Sequence, residues 1–123
     1  MRRGARLLAT AAGLAGAAGV ALAAVAAHKV PLPLIASAAS MLQFHAVAAL
    51  AVVAVASGVA RPLSWLVAGG TLLSGAILFA AAVALPQFGI AILPSRAAPV
   101  GGSLVIVGWL LVAWAAAFAQ DAR

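Results

Sequence analysis

The sequence predicts an all-α polytopic membrane protein, a bundle of four transmembrane helices with both termini in the cytoplasm. Scarce charge, four long uncharged runs, and proline- or glycine-marked breaks between those runs predict it. The 123 residues are 67% hydrophobic and 7% charged, with no cysteine. A soluble domain carries about 25% charged residues, because water must solvate its surface. Here the charges are only Arg2, Arg3, Arg6, Lys29, Arg61, Arg96, Asp121 and Arg123. The stretches between Arg6, Lys29, Arg61, Arg96 and Asp121 hold 22, 31, 34 and 24 uncharged residues in turn. A helix needs about 20 apolar residues to cross a hydrocarbon core. Residues 1–123 are therefore read as one four-helix membrane domain, with nothing left over for a soluble one.

The first span is placed at about 5–27, behind the basic start MRRGAR. Pro31 and Pro33 break it, because the residue before a proline disfavours helix. Span two, about 34–59, ends at SGVARP. Pro62 suits the first turn of a new helix, where its missing N–H is not needed, and opens span three at about 63–85. The segment PQFGIAILPSRAAP contains three prolines and cannot be one straight helix. Its FGIAIL core is apolar enough to lie at an interface. Span four is placed at about 99–119.

Positive charge sets the orientation, since basic residues are retained inside. With a cytoplasmic N-terminus, five arginines (Arg2, Arg3, Arg6, Arg61, Arg123) lie inside against Lys29 and Arg96 outside. The start also resembles a secretory signal, with ALA or AVA before a cleavage point. Its apolar stretch exceeds the roughly 7–15 residues of a signal core, so it is read as a span. The net charge of +6 is scattered one residue at a time outside the N-terminus. That pattern fits topology signals and anionic lipid, not a phosphate groove for nucleic acid.

In lipid, helices associate by close packing and polar contacts. The small residues predict the strips: Ala9, Gly13 and Ala17 on span one; Gly70, Thr71, Ser74 and Gly75 on span three; Gly101, Gly108 and Ala115 on span four. Span two is polar on both sides, with Ser37, Met41, His45, Ala48 and Val52 on one face and Ser40, Gln43 and Val47 opposite. It is expected to be the most enclosed helix, or to meet another protein.

His45 is the residue most worth explaining. It lies about 16 Å in from the outer end of its span at helical rise. Gly16, Ser74 and Trp109 fall at similar depth on the other spans. A neutral imidazole there needs one donor and one acceptor, and Ser74 and Trp109 are the expected partners. The candidate intramembrane polar cluster is thus His45, Ser74, Trp109 and Gln43. A polar group at that depth is a functional suspect. The plainer reading, an interhelical hydrogen bond, is preferred because no carboxylate accompanies it. His28 and His45 differ in depth by about 15 Å, too far to clamp one haem iron within a chain. No cofactor or metal is expected. His28 and Arg96 are loop candidates: His28 with Lys29 ends span one at headgroup level, and Arg96 is placed to meet an external anion or water. Trp65 is expected at the interface, and Trp109 and Trp114 in the packing. No Walker loop, nucleophile–base pair, HExxH or dinucleotide fingerprint occurs, so no enzyme is expected.

Four segments in order, GLAGAAGVALAAVAAH (13–28), LQFHAVAAL (42–50), LLSGAILFAAAVAL (72–85) and APVGGSLVIVGW (98–109), cover most of the chain. Together they resemble the domain-of-unknown-function 423 family of small bacterial inner-membrane proteins, which has relatives in eukaryotes. The resemblance matches Ala27 and His28, His45, Ser74 and Gly75, and Pro99, Gly101 and Gly102 to the family pattern. Met41 and Leu42 stand where the family carries tyrosine and a polar residue, and Ala98 where it carries threonine. The resemblance implies a four-span bundle and no established activity. The expected function is a structural or accessory inner-membrane subunit acting through helix contacts. The alternative is a small-solute or proton-coupled permease with a cavity at His45. Expected partners are membrane lipids and a larger membrane complex or further copies of the chain.

Overall fold

Each uncharged run becomes one helix in the computed structural model, which describes residues 1–28 and 33–119. They are α1 (Arg3–His28), α2 (Pro33–Ser57), α3 (Pro62–Ala84) and α4 (Ala97–Ala117), with a 3₁₀ turn at Leu85–Phe88. No strand occurs among the described residues. All four helices are long and apolar enough to cross a bilayer. The break expected at Lys29 and Pro31, and the tail with Asp121 and Arg123, lie outside the described residues.

The helix ends follow proline chemistry. Pro62 is the first residue of α3, as expected, with Arg61 before it in a non-helical conformation. At the other end of α3, Pro86 lacks the N–H that would continue the α-helix, and the chain tightens into the 3₁₀ turn. Gly89, at φ 76°, then reverses it, a left-handed conformation that glycine adopts without strain. The N–H groups of Gly89 and Ile90 donate back to the carbonyls of Pro86 and Leu85. Helix α4 begins two residues earlier than expected, so that Pro99 falls inside its first turn. N–H groups there have no intrahelical partner, and a proline costs little. The connecting segment leaves Phe88, Ile90 and Ile92 exposed.

Consecutive helices pack side by side, and α3 also touches α1. The extensive contacts are α1–α2, α2–α3 and α3–α4, so the helices pack in chain order with α2 and α3 in the middle. Helix α2 is the most enclosed of the four, as its two polar faces led us to expect. One core joins Ala12 and Ala15 of α1, Leu42, Ala46 and Ala49 of α2, and Leu73 and Ala80 of α3. A second lies between α3 and α4 around Leu72, Ala76 and Val105.

Two predicted packing strips need correction. On α4 the heptad Gly101, Gly108 and Ala115 is buried as expected. On α1, however, Gly13 and Ala17 face outward, and the buried face is Ala5, Ala12, Ala15 and Gly19. On α3, Gly75 is buried as expected, but Gly70 meets open space and Ser74 is exposed, and Ala68, Gly69, Leu72 and Ala76 complete the buried face. The hydroxyls of Thr71 and Ser74 donate to the carbonyls of Val67 and Gly70, so neither needs a neighbouring helix. A methyl group at Gly13 would meet nothing within 4 Å. Gly13→Ala is expected to leave thermal stability unchanged or raise it by up to about 1 kcal/mol through helix propensity. A drop in the detergent-solubilised melting temperature would mean that this face is covered.

Candidate functional site at His45

Helix α2 carries His45 onto the side that meets α3 and the flank of α4. The imidazole is only 6% exposed, the one buried polar side chain among the described residues. Both ring nitrogens are engaged. Nδ1–H donates to the Met41 carbonyl one turn back at 2.8 Å. Nε2 accepts from the Trp109 indole N–H of α4 at 3.3 Å, the long end of hydrogen-bond range. These partners require the neutral Nδ1–H tautomer, because an indole can only donate.

One further ring covers the pair. Phe44 lies edge-on to His45 at 5.2 Å and tilted against Trp109 at 6.1 Å. Trp109, although bonded to His45, remains 41% exposed on its outer side. The imidazole is therefore screened by aromatic rings rather than open to a passage. The grooves along the helices at Trp65, Ala80, Ala56 and Gln43 are all lined without His45.

The predicted cluster separates into three places. His45 and Trp109 come together. Ser74, expected as a partner, does not join them: it is exposed and uses the carbonyls of Gly70 and Thr71. Gln43 lies on the opposite side of α2, over α1, where a Cβ on Gly19 would fall 2.8 Å from its Cγ. His28 ends α1 and pairs its Nδ1 with the Ala24 carbonyl at 2.8 Å, away from His45. Arg96 is exposed just before α4, and its carbonyl accepts the Val100 N–H.

Trp114 departs from its expected environment, and Trp109 does so on its outer side only. Trp65 is 8% exposed and packs with Val52, Ala56 and Ala115. Trp109 and Trp114 face outward, Trp114 stacked at a tilt on Phe118 at 5.6 Å. Phe44 was missed by sequence reasoning, although its place next to His45 was a usable signal.

The chemistry open to this arrangement is narrow. A metal or a proton could reach His45 only by displacing Trp109 from Nε2. Among the described residues, no three His, Cys, Asp or Glu side chains gather as a metal site would require. Compared with protein-family models, with curated proteins and with solved structures, the chain finds no match.

Proposed function

We propose that this chain is a four-span protein of the bacterial inner membrane, with both termini cytoplasmic, that serves as a structural or accessory subunit through helix contacts and is not an enzyme. The observation that carries this reading is the commitment of both His45 nitrogens within the chain. A permease using His45 would need one of them free and facing a passage. The four ordered sequence segments support membership of the domain-of-unknown-function 423 family as part of the same proposal.

Gentle extraction with quantification of co-purifying membrane proteins tests the role. A partner, or further copies of the chain, at fixed stoichiometry is expected. Solute or proton flux in proteoliposomes that vanishes in a folded His45→Ala variant would favour the permease instead.

The orientation has its own test. Arg2 and Ala5 lie beside Ser57 and Pro62, while Val59 and Arg61 lie beside Phe118, so these three chain regions share one end. The chain has no cysteine, and single introduced thiols report cleanly. On intact spheroplasts an impermeant thiol reagent should label Ser95→Cys but reach Ala60→Cys only after permeabilisation. The opposite pattern would invert the topology.

A further inference from the structure

At the end of the helices that holds Arg61, α3 and α4 border a groove of about 580 Å³. That volume falls in the roughly 300–1,000 Å³ range of small-ligand sites. Its composition is graded along the helix axis. Arg61 and Ser64 stand at the outer end, on the first turn of α3. Leu63 and Trp114 add apolar surface near that end, and Val67 and Leu111 continue the wall toward the middle of the helices. From Arg61 to Val67 the rise is about 9 Å at 1.5 Å per residue.

Two residues that line this space carry polar groups with no partner among the described residues. Arg61 is exposed, and the chain's only acidic side chain, Asp121, lies outside the described residues, so no carboxylate among them can pair with it. The Trp65 indole N–H makes no hydrogen bond among the described residues, yet no polar side-chain atom there is both sealed and unpaired. Trp65 is otherwise buried, and the groove it lines is this one. Trp114 and Phe118 are 55% and 69% exposed and stack as one wall, and an amphipathic indole such as Trp114 favours headgroup level.

We propose that this groove binds one anionic phospholipid of the leaflet on the N-terminal side. The phosphate meets the Arg61 guanidinium and the Trp65 N–H, and an acyl chain lies along Val67, Leu111 and Trp114. The charge selects an anion, and the apolar wall below selects a lipid over free phosphate, which would leave that wall unused. Arg2, Arg3 and Arg6 make the same end cationic and raise the local concentration of anionic lipid. The inference rests on the membrane reading above and names a ligand for it.

Flotation of the purified chain with phosphatidylcholine vesicles is scored first, and failure to float overturns the membrane reading itself. Native mass spectrometry from micelles then counts retained lipid for phosphatidylglycerol, for phosphatidylcholine with matched chains, and for inorganic phosphate. One retained phosphatidylglycerol per chain, in preference to phosphatidylcholine, is expected. Arg61→Gln should lower that occupancy about fivefold, the effect of one arginine near a charged surface. Trp114→Ala should weaken retention of the lipid, and Arg96→Gln, at the opposite end, should leave it unchanged. A chain that floats but retains both lipids equally, responds alike to Arg61→Gln and Arg96→Gln, or holds phosphate without lipid overturns the site alone.

Discussion

Gly101→Leu is expected to unseat α4 from α3. A Cβ at Gly101 would fall 2.5 Å from the Phe79 backbone nitrogen and 2.8 Å from the Gly75 carbonyl oxygen. Neither is a side chain that can rotate away, so the whole helix must move. On α3 the same crossing is held open by Gly75, whose own Cβ would meet the Gly101 carbonyl at 2.8 Å. Overpacking a tight core costs about 1–3 kcal/mol where side chains can adjust, and backbone contact places this change at or above the upper end. In lipid no hydrophobic force would press displaced helices back together. The neighbouring residue is the control: a Cβ at Gly102 meets only the Phe79 ring, at 4.0 Å. Cysteines at Ala76 and Val105, buried in one cluster, report the contact by cross-linking in an otherwise cysteine-free chain. Cross-linking should collapse with Gly101→Leu and persist with Gly102→Leu. Equal yields would mean that α3 and α4 are not held at this crossing.

Which helices exist was legible because the physical signal is long. Each uncharged run exceeds the bilayer span, and Pro62 and the Pro86–Gly89 segment mark where the chain must turn. Which face each helix buries was less legible. On α4, Gly101, Gly108 and Ala115 stand out against Leu, Val and Trp, and the heptad marks the right face. On α1, alanine and glycine occupy nearly every side, so composition cannot separate the buried Ala12 and Ala15 from the open Gly13 and Ala17. That choice depends on the partner surface, here Leu42, Ala46 and Ala49 of α2. Depth counting found Trp109 for His45 because an indole N–H must look beyond its own helix. It misjudged Ser74, because a serine hydroxyl is satisfied by the carbonyl one turn back. Trp114 was misplaced for a related reason. An indole is stable both in packing and at an interface, and sequence does not say which.

The His45–Trp109 bond makes the second large prediction. Trp109→Phe keeps a ring against Phe44 but removes the donor, leaving Nε2 of a 6% exposed imidazole without a partner. A buried acceptor left unpaired costs about 1–3 kcal/mol. His45→Leu removes the acceptor instead and strands the indole N–H, whose exposed side meets hydrocarbon at this depth and gains no partner, so its cost should be of similar size. With both replaced, nothing polar is left unpaired, and the double variant should be more stable than the single costs predict. Interhelical hydrogen bonds in membranes are worth about 0.6–2 kcal/mol, and a double-mutant cycle on reversible unfolding in mixed micelles should return a coupling in that range. Strictly additive costs would remove the bond from the account of how α2 holds α4. The same double variant separates the two functional readings. If His45 only ties helices together, the apolar pair should restore assembly with the partner as well as stability. If it handles protons, the restored fold would remain inactive however well it packs.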